Sequence, residues 1–164
     1  MSMVLVSSCL LGEPVRYDGG SAPSRHPVMD RWLAEGRVVS FCPERAGGLG
    51  IPRPPVELLG GGGEAVLEAQ ARVGGAGGED VTAAFIAGAL AAVALCRRRG
   101  IRVAVLKERS PSCGSAWIHD GTFSGRLVPG QGVAAAALRA GGIDVFSEAG
   151  WECAQARLAE LERT

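Results

Sequence analysis

The sequence predicts an α/β domain built on a mostly parallel central sheet with flanking helices, Rossmann-like in outline but without a dinucleotide fingerprint. Three observations carry this. Short apolar runs alternate with longer stretches of helical periodicity, glycine and proline fall between them, and Cys9, Cys42 and Cys113 each stand just past a predicted strand. Strands alternating with helices through right-handed crossovers lie parallel, so their carboxyl ends share one edge, where ligands of such sheets gather. A chain of 164 residues is expected to form a single domain, residues 1–164, large enough to bury a core.

Met3 to Val6 is a continuous apolar run, the pattern of a strand buried on both faces. After a polar segment from Gly12 to Ser24, His26-Pro27 opens a helix through Leu33, with proline in the first turn and Val28, Trp32 and Leu33 on one side. Gly36 ends it, and Val38 to Phe41 form the second strand. From Ala46 to Gly78 the reading is a long glycine- and proline-rich loop, whose Pro52 to Pro55 run stiffens one wall of a site. Asp80 is expected to cap a helix from Val81 to Arg99 that buries Phe85, Ala89, Val93 and Cys96, with Gly100 closing it. Ile101 to Leu106 is a central strand. Asp120-Gly121 signals a hairpin turn between Trp117-Ile118 and Thr122-Phe123. Gly132 to Ala140 is helical, Ile143 to Phe146 a strand, and Trp151 to Leu161 a final amphipathic helix.

Composition excludes several classes. Seventeen basic and seventeen acidic residues give zero formal charge, without the basic footprint of a nucleic-acid binder, so DNA is not an expected partner. The stretch without a polar side chain from Ala83 to Leu95 is shorter than the roughly 20 residues a bilayer span requires, so no membrane partner is expected. Five cysteines, an odd number at uneven spacing, do not make a secreted disulfide framework. Val6-Ser7-Ser8-Cys9 looks like a lipoprotein cleavage box but has neither a basic region nor an adequate apolar core before it. A cytoplasmic location is expected, and oligomeric state is not readable.

Cys96 and Cys153 fall within helices and read as small apolar core residues. Cys9, Cys42 and Cys113 fall in loops, and three thiols meeting at one sheet edge suit a three-thiolate metal site with an open position. They read equally as three unrelated buried thiols, and no C-x-x-C pair is present. Glu44 lies two residues past Cys42, and Ser110 and Ser112 lie just before Cys113. A carboxylate beside a metal suits a general base; a surface glutamate is the plain alternative. Arg16, Lys107 and Arg109 stand near enough in sequence to balance thiolate charge. Lys107 is the sole lysine and reads either as a chosen compact charge or as an ordinary surface residue. His26 and His119 read as structural, and Gly130-Gln131-Gly132 as a turn.

Ser8-Cys-Leu-Leu-Gly12, Arg16-Tyr-Asp-Gly19, Cys42-Pro-Glu44, Gly47-Gly-Leu49, Pro52-Arg-Pro-Pro55, Asp80-Val-Thr82, Leu106-Lys-Glu-Arg-Ser-Pro-Ser-Cys-Gly114, Asp120-Gly-Thr-Phe-Ser-Gly125 and Val145-Phe-Ser-Glu148 together resemble the thiouracil desulfidase family. They run in order over nearly the whole chain. The resemblance implies an oxygen-sensitive [4Fe–4S] cluster held by Cys9, Cys42 and Cys113, with the fourth iron free for the sulfur of a thiolated nucleobase. It places a glutamate and a serine that assist the reaction at Glu44 and Ser110. The implied activity is non-redox desulfuration with release of sulfide. The alternatives are a sulfurtransferase that hands sulfide to an acceptor, and a non-catalytic zinc or thiol module. Two departures stand out: Val15, where many relatives have cysteine, and His119, where relatives often carry tyrosine.

Overall fold

The structure, a computed structural model, describes residues 1–164. Its centre is a four-stranded, wholly parallel sheet of β1 (Val4–Ser7), β2 (Val38–Phe41), β5 (Val103–Leu106) and β8 (Asp144–Ser147), in the order β2-β1-β5-β8. Chain direction along the sheet reverses at β1: the first connection leads outward to β2, and the next returns across β1 to β5. The switch point between β1 and β5 is where a doubly wound sheet opens a crevice for ligands.

Side chains alternate across the strands, and this divides the core in two. Val4, Val6, Val103 and Val105 pack with Trp32, Trp151 and Leu158, from α1 (Pro27–Ala34) and α6 (Trp151–Glu162). Leu5, Ala104 and Leu106 join the opposite cluster, with Phe85, Ala89, Val93 and Cys96 from α4 (Thr82–Arg99) and Val133, Ala134, Ala135, Ala137 and Leu138 from α5 (Val133–Ala140). Trp32 and Trp151 meet edge to face at a centroid distance of 5.8 Å. Each buried indole N–H has an acceptor: Gln155 Oε1 at 2.6 Å for Trp32 and Ser24 Oγ at 3.0 Å for Trp151. Satisfied in this way, the rings contribute their apolar burial without an orphaned donor.

The segment expected as one long loop from Ala46 to Gly78 is largely structured. It contains the end of α2 (Pro43–Ala46), then β3 (Val56–Leu59), α3 (Gly63–Leu67) and β4 (Arg72–Gly75), with β3 and β4 paired antiparallel. Its elements are four or five residues long, too short for periodicity to reveal, and some of the glycines that suggested a loop, Gly47, Gly63 and Gly74 among them, are required for close approach to backbone. A Cβ on Gly63 would fall 2.2 Å from the Gly132 carbonyl oxygen. Val66, Leu58 and Val73 from this segment are buried.

Three smaller expectations are corrected. Asp80 does not occupy the cap position, which is Val81; its Oδ1 accepts from the Thr82 N–H (3.0 Å) and hydroxyl (2.6 Å), forming a turn just before the helix. Thr122-Phe123 is not a strand. β6 (Trp117–His119) pairs with β7 (Leu127–Pro129), and the intervening segment is drawn toward β3, where Glu57 Oε1 accepts from the Gly121 and Phe123 N–H groups. Cys153 is exposed rather than core, because α6 buries Trp151, Ala154 and Leu158 and turns position 153 outward.

Candidate functional site

Each sequence-marked thiol is placed by local chain geometry. Cys9 rides on a single 3-10 turn, Ser8–Leu11, immediately after β1. Gly12 closes the turn at φ +91°, a conformation that strongly favours glycine, and the Cys9 carbonyl accepts from the Gly12 and Ala22 N–H groups, both at 3.1 Å. Cys42 is the residue before α2, with Pro43 pre-set for the first helical position. Its helix lies against α4 at backbone contact: a Cβ on Gly88 would sit 1.9 Å from the Pro43 oxygen, and one on Gly47 would sit 2.0 Å from the Ala84 oxygen. An alanine at either position would have to push α2 away, carrying Cys42 and Glu44 with it. Cys113 sits in the loop after β5, docked on the start of α5. There the Pro111 carbonyl accepts from the Val133 N–H (3.0 Å) and the Ser112 carbonyl from the Ala134 N–H (2.9 Å), satisfying helix donors that have no partner inside the helix.

The three loops meet over the switch point and enclose a cavity of about 480 Å³ lined by Cys9, Cys42, Cys113, Glu44, Ser110 and Ser112. Arg53, Pro54 and Pro55 form part of its wall, the place expected for the proline run. Val15, Arg16, Tyr17, Lys107, Arg109 and His119 also line it. The three thiols stand around this space rather than converging on a point, and no group of three His, Cys, Asp or Glu side chains is gathered tightly enough to hold one metal ion.

Burial dominates the chemistry of these thiols. It pushes Cys113 up to about 12 and Cys9 up to about 11, and it raises Cys42. The positive charges of Arg16 and Lys107 oppose this at Cys9, and α2 backbone N–H groups oppose it at Cys42. Each thiol of Cys9 and Cys42 disfavours ionisation of Cys113. Cys113 is further engaged by hydroxyls: Ser7 Oγ at 3.5 Å and Ser112 Oγ at 3.6 Å are positioned to donate to its sulfur. The Ser7 oxygen accepts from the Lys107 N–H at 3.0 Å, which turns the Ser7 hydroxyl proton toward Cys113. The three thiols are neutral without a cation, and a metal centre that deprotonates them would find three soft ligands around one space.

Two charged pairs are fixed at the site. Glu44 Oε1 lies 3.0 Å from both Nε and Nη2 of Arg53, with side chains 13% and 9% exposed. Arg53 also donates to the Val15 carbonyl at 3.0 Å and the Gly50 carbonyl at 2.9 Å. Glu44 Oε2 accepts from Ser112 Oγ at 2.9 Å. Lys107 is no free surface lysine, since its Nζ lies 2.9 Å from Glu148 Oε2 and donates to the Glu108 carbonyl at 3.1 Å. Arg109 is exposed and has φ +69°, unusual for a residue with a side chain. His26 lies outside the cavity, stacked on Trp151, and His119 lines the cavity with its Nδ1 buried and unpartnered.

Residues 4–150 match the family model described as 2-thiouracil desulfurase. The chain belongs to the 2-thiouracil desulfurase family. The chain is similar to the uncharacterized protein YbbK of Bacillus subtilis (strain 168), 44% identical over 146 residues, covering 89% of this chain and 95% of that protein. The solved structure of the [4Fe-4S]-dependent thiouracil desulfidase TudS superposes with a TM-score of 0.88 at 46% identity, covering 97% of this chain and 99% of that one. The α/β class, the parallel sheet with helices on its faces and the family resemblance are thereby established for this chain, and it contains no helix long and apolar enough to cross a membrane.

Four supporting residues of this family member are not marked in the sequence: Ser7, Arg53, Glu108 and Glu148 give no individual signal, although the last three lie inside the family-like segments. Glu108 is the anchor of the Cys113 loop. Its Oε1 accepts from four backbone N–H groups, those of Arg109, Ser115, Ala116 and Trp117 at 2.9–3.2 Å, and its Oε2 accepts from the Ser115 hydroxyl. Burial pushes the Glu108 carboxyl up, but these donors together outweigh it and hold it below the usual carboxylate range. Its stabilising effect is therefore complete above the unfolded value of about 4.3 and is lost as pH falls through the lower folded value. Glu108→Gln is expected to cost about 1–2 kcal/mol at pH 7, and urea denaturation should show the gap from wild type narrowing below about pH 4.

Proposed function

We propose that this desulfurase removes sulfur from thiouracil or a closely related thiolated nucleobase by non-redox hydrolysis, using a [4Fe–4S] cluster held by Cys9, Cys42 and Cys113. The observation that carries the reading is the grouping of three strand-end thiols around one cavity with a clamped carboxylate on its wall. Thiols spaced around a volume fit a polynuclear cluster better than a single zinc ion, which needs its ligands at one point. Part of the charge of the thiolates is offset by Arg16 and by Lys107, whose fields act at Cys9. When bound, a cluster with one iron free of protein ligands supplies a Lewis-acid position for a thiocarbonyl sulfur.

The remaining work falls to side chains. Arg53 and Ser112 each take one oxygen of Glu44, yet a carboxylate oxygen has a second lone-pair direction, so Glu44 retains capacity to accept from a water in the cavity. Glu44 removes a proton from that water as its oxygen attacks the thiocarbonyl carbon. The C–S bond then breaks, the carbonyl product carries the water oxygen, and the sulfur leaves as sulfide. No electrons enter or leave. Ser110 lines the same cavity and orients the ring from its wall.

The test is an anaerobic assay of the iron- and sulfide-reconstituted protein with 2-thiouracil and no added reductant or thiol. Equal yields of uracil and free sulfide are expected. Sulfide that appears only with a thiol acceptor would make the protein a sulfurtransferase, and no product under either condition would leave the desulfidase reading without support.

A further inference from the structure

The distances beside Cys113 favour one arrangement of the hydroxyl protons. Ser110 Oγ accepts from the Ser112 N–H at 3.2 Å and from the Cys113 N–H at 3.1 Å. A hydroxyl oxygen has two lone pairs, and these two donors fill them. The Ser110 hydroxyl must therefore act as donor, and Ser112 Oγ at 3.0 Å is its acceptor. Ser112, having accepted from Ser110, directs its own proton to Glu44 Oε2 at 2.9 Å, a charged and nearer acceptor than the Cys113 sulfur at 3.6 Å. Arg53 closes the far end on Glu44 Oε1. Ser112 is 2% exposed, so no water replaces either bond at low cost.

We infer that Ser112 is a positioning residue that joins the Ser110 hydroxyl to the Glu44 carboxylate and holds both to one arrangement. Its kinetic consequence rests on the desulfidase reading, and its structural consequence does not. Without Ser112, the Ser110 proton loses its acceptor and Glu44 is anchored on one oxygen only, free to rotate about its own side chain. Sequence position alone marks Ser112 as a neighbour of Cys113. The bond that matters reaches across 68 residues to helix α2.

Ser112→Ala and Ser112→Thr test this in two settings. In the reconstituted enzyme, Ser112→Ala should keep the wild-type iron content and visible absorption. Its kcat for sulfide release should fall about 10- to 100-fold with KM within about threefold, and Ser112→Thr should recover most of the loss. In the unloaded protein, urea denaturation of Ser112→Ala, Glu44→Ala and the double variant should be non-additive, as expected for residues in one hydrogen-bonded network. Additive stabilities would overturn the inference. So would a Ser112→Ala enzyme within about twofold of a wild type that turns over, or one that loses its iron, which would assign Ser112 to Cys113 instead. A fully loaded wild type that releases no sulfide would sink the desulfidase reading alone, and the denaturation cycle would still decide the role of Ser112.

Discussion

Alanine in place of Cys9, Cys42 or Cys113 is expected to abolish iron retention, from about four irons per chain, the count of a cubane cluster, to a small residue. The physical basis is the absence of a substitute donor. The groups nearest Cys113 besides the other thiols are the hydroxyls of Ser7 and Ser112, which are poor ligands for iron beside a thiolate. Folding should survive the change, because a buried neutral thiol behaves as a small apolar side chain, and its removal should cost on the order of 1 kcal/mol. Iron and sulfide analysis with visible absorption after anaerobic reconstitution, alongside urea denaturation of the unloaded variants, separates lost ligation from lost structure. Cys96→Ala provides the contrast: that thiol is buried in the core on α4, and its iron content should match wild type. Iron surviving all three loop substitutions would remove these thiols from the site.

The second large effect is expected at Glu44. Glu44→Gln should leave the iron content unchanged and lower kcat by about 10²- to 10⁴-fold, the range for loss of a general base. Glutamine is the cleaner replacement because its carbonyl oxygen still accepts from Arg53, whose guanidinium is buried and also bound to Val15 and Gly50. Glu44→Ala removes that partner too, and breaking a buried ion pair from one side costs about 3–5 kcal/mol. The alanine variant should therefore lose both turnover and stability, the glutamine variant turnover alone. Steady-state sulfide release from iron-matched samples, with denaturation midpoints for each variant, distinguishes the two. Undiminished turnover in Glu44→Gln would place the base elsewhere.

These two predictions use residues that local sequence marked, yet their partners came from distant parts of the chain. Cys9, Cys42 and Cys113 were recognisable because each follows a strand whose apolar run is read directly, and parallel strands bring their ends to one edge. Glu44 was recognisable by its two-residue distance from Cys42. Arg53, by contrast, lies in a proline run that reads as wall, and nothing in that run indicates that its guanidinium reaches Glu44 and the Val15 carbonyl together. Glu108 reads as one charged residue in a polar motif, although it gathers four backbone donors and so shapes the Cys113 loop.

The same division runs through the fold. Strand and helix periodicity located β1, β2, α1, α4, β5, α5, β8 and α6 to within a residue or two, because a buried face repeats every two or every 3.6 residues and that repeat is written in the chain. The β3–β4 pair and α3 are too short to show a period, and the partner of β6 was misassigned because Glu57, more than sixty residues earlier, captures the segment after the Asp120-Gly121 turn. By itself the sequence determined the α/β class, the family and the candidate thiols. Tertiary structure alone decided the strand order that sets β1 beside β5, the backbone contact of α2 with α4, and the Arg53, Glu44, Ser112 and Ser110 chain. Periodicity and turn chemistry act between neighbours, whereas these contacts depend on which surfaces meet once the core has packed.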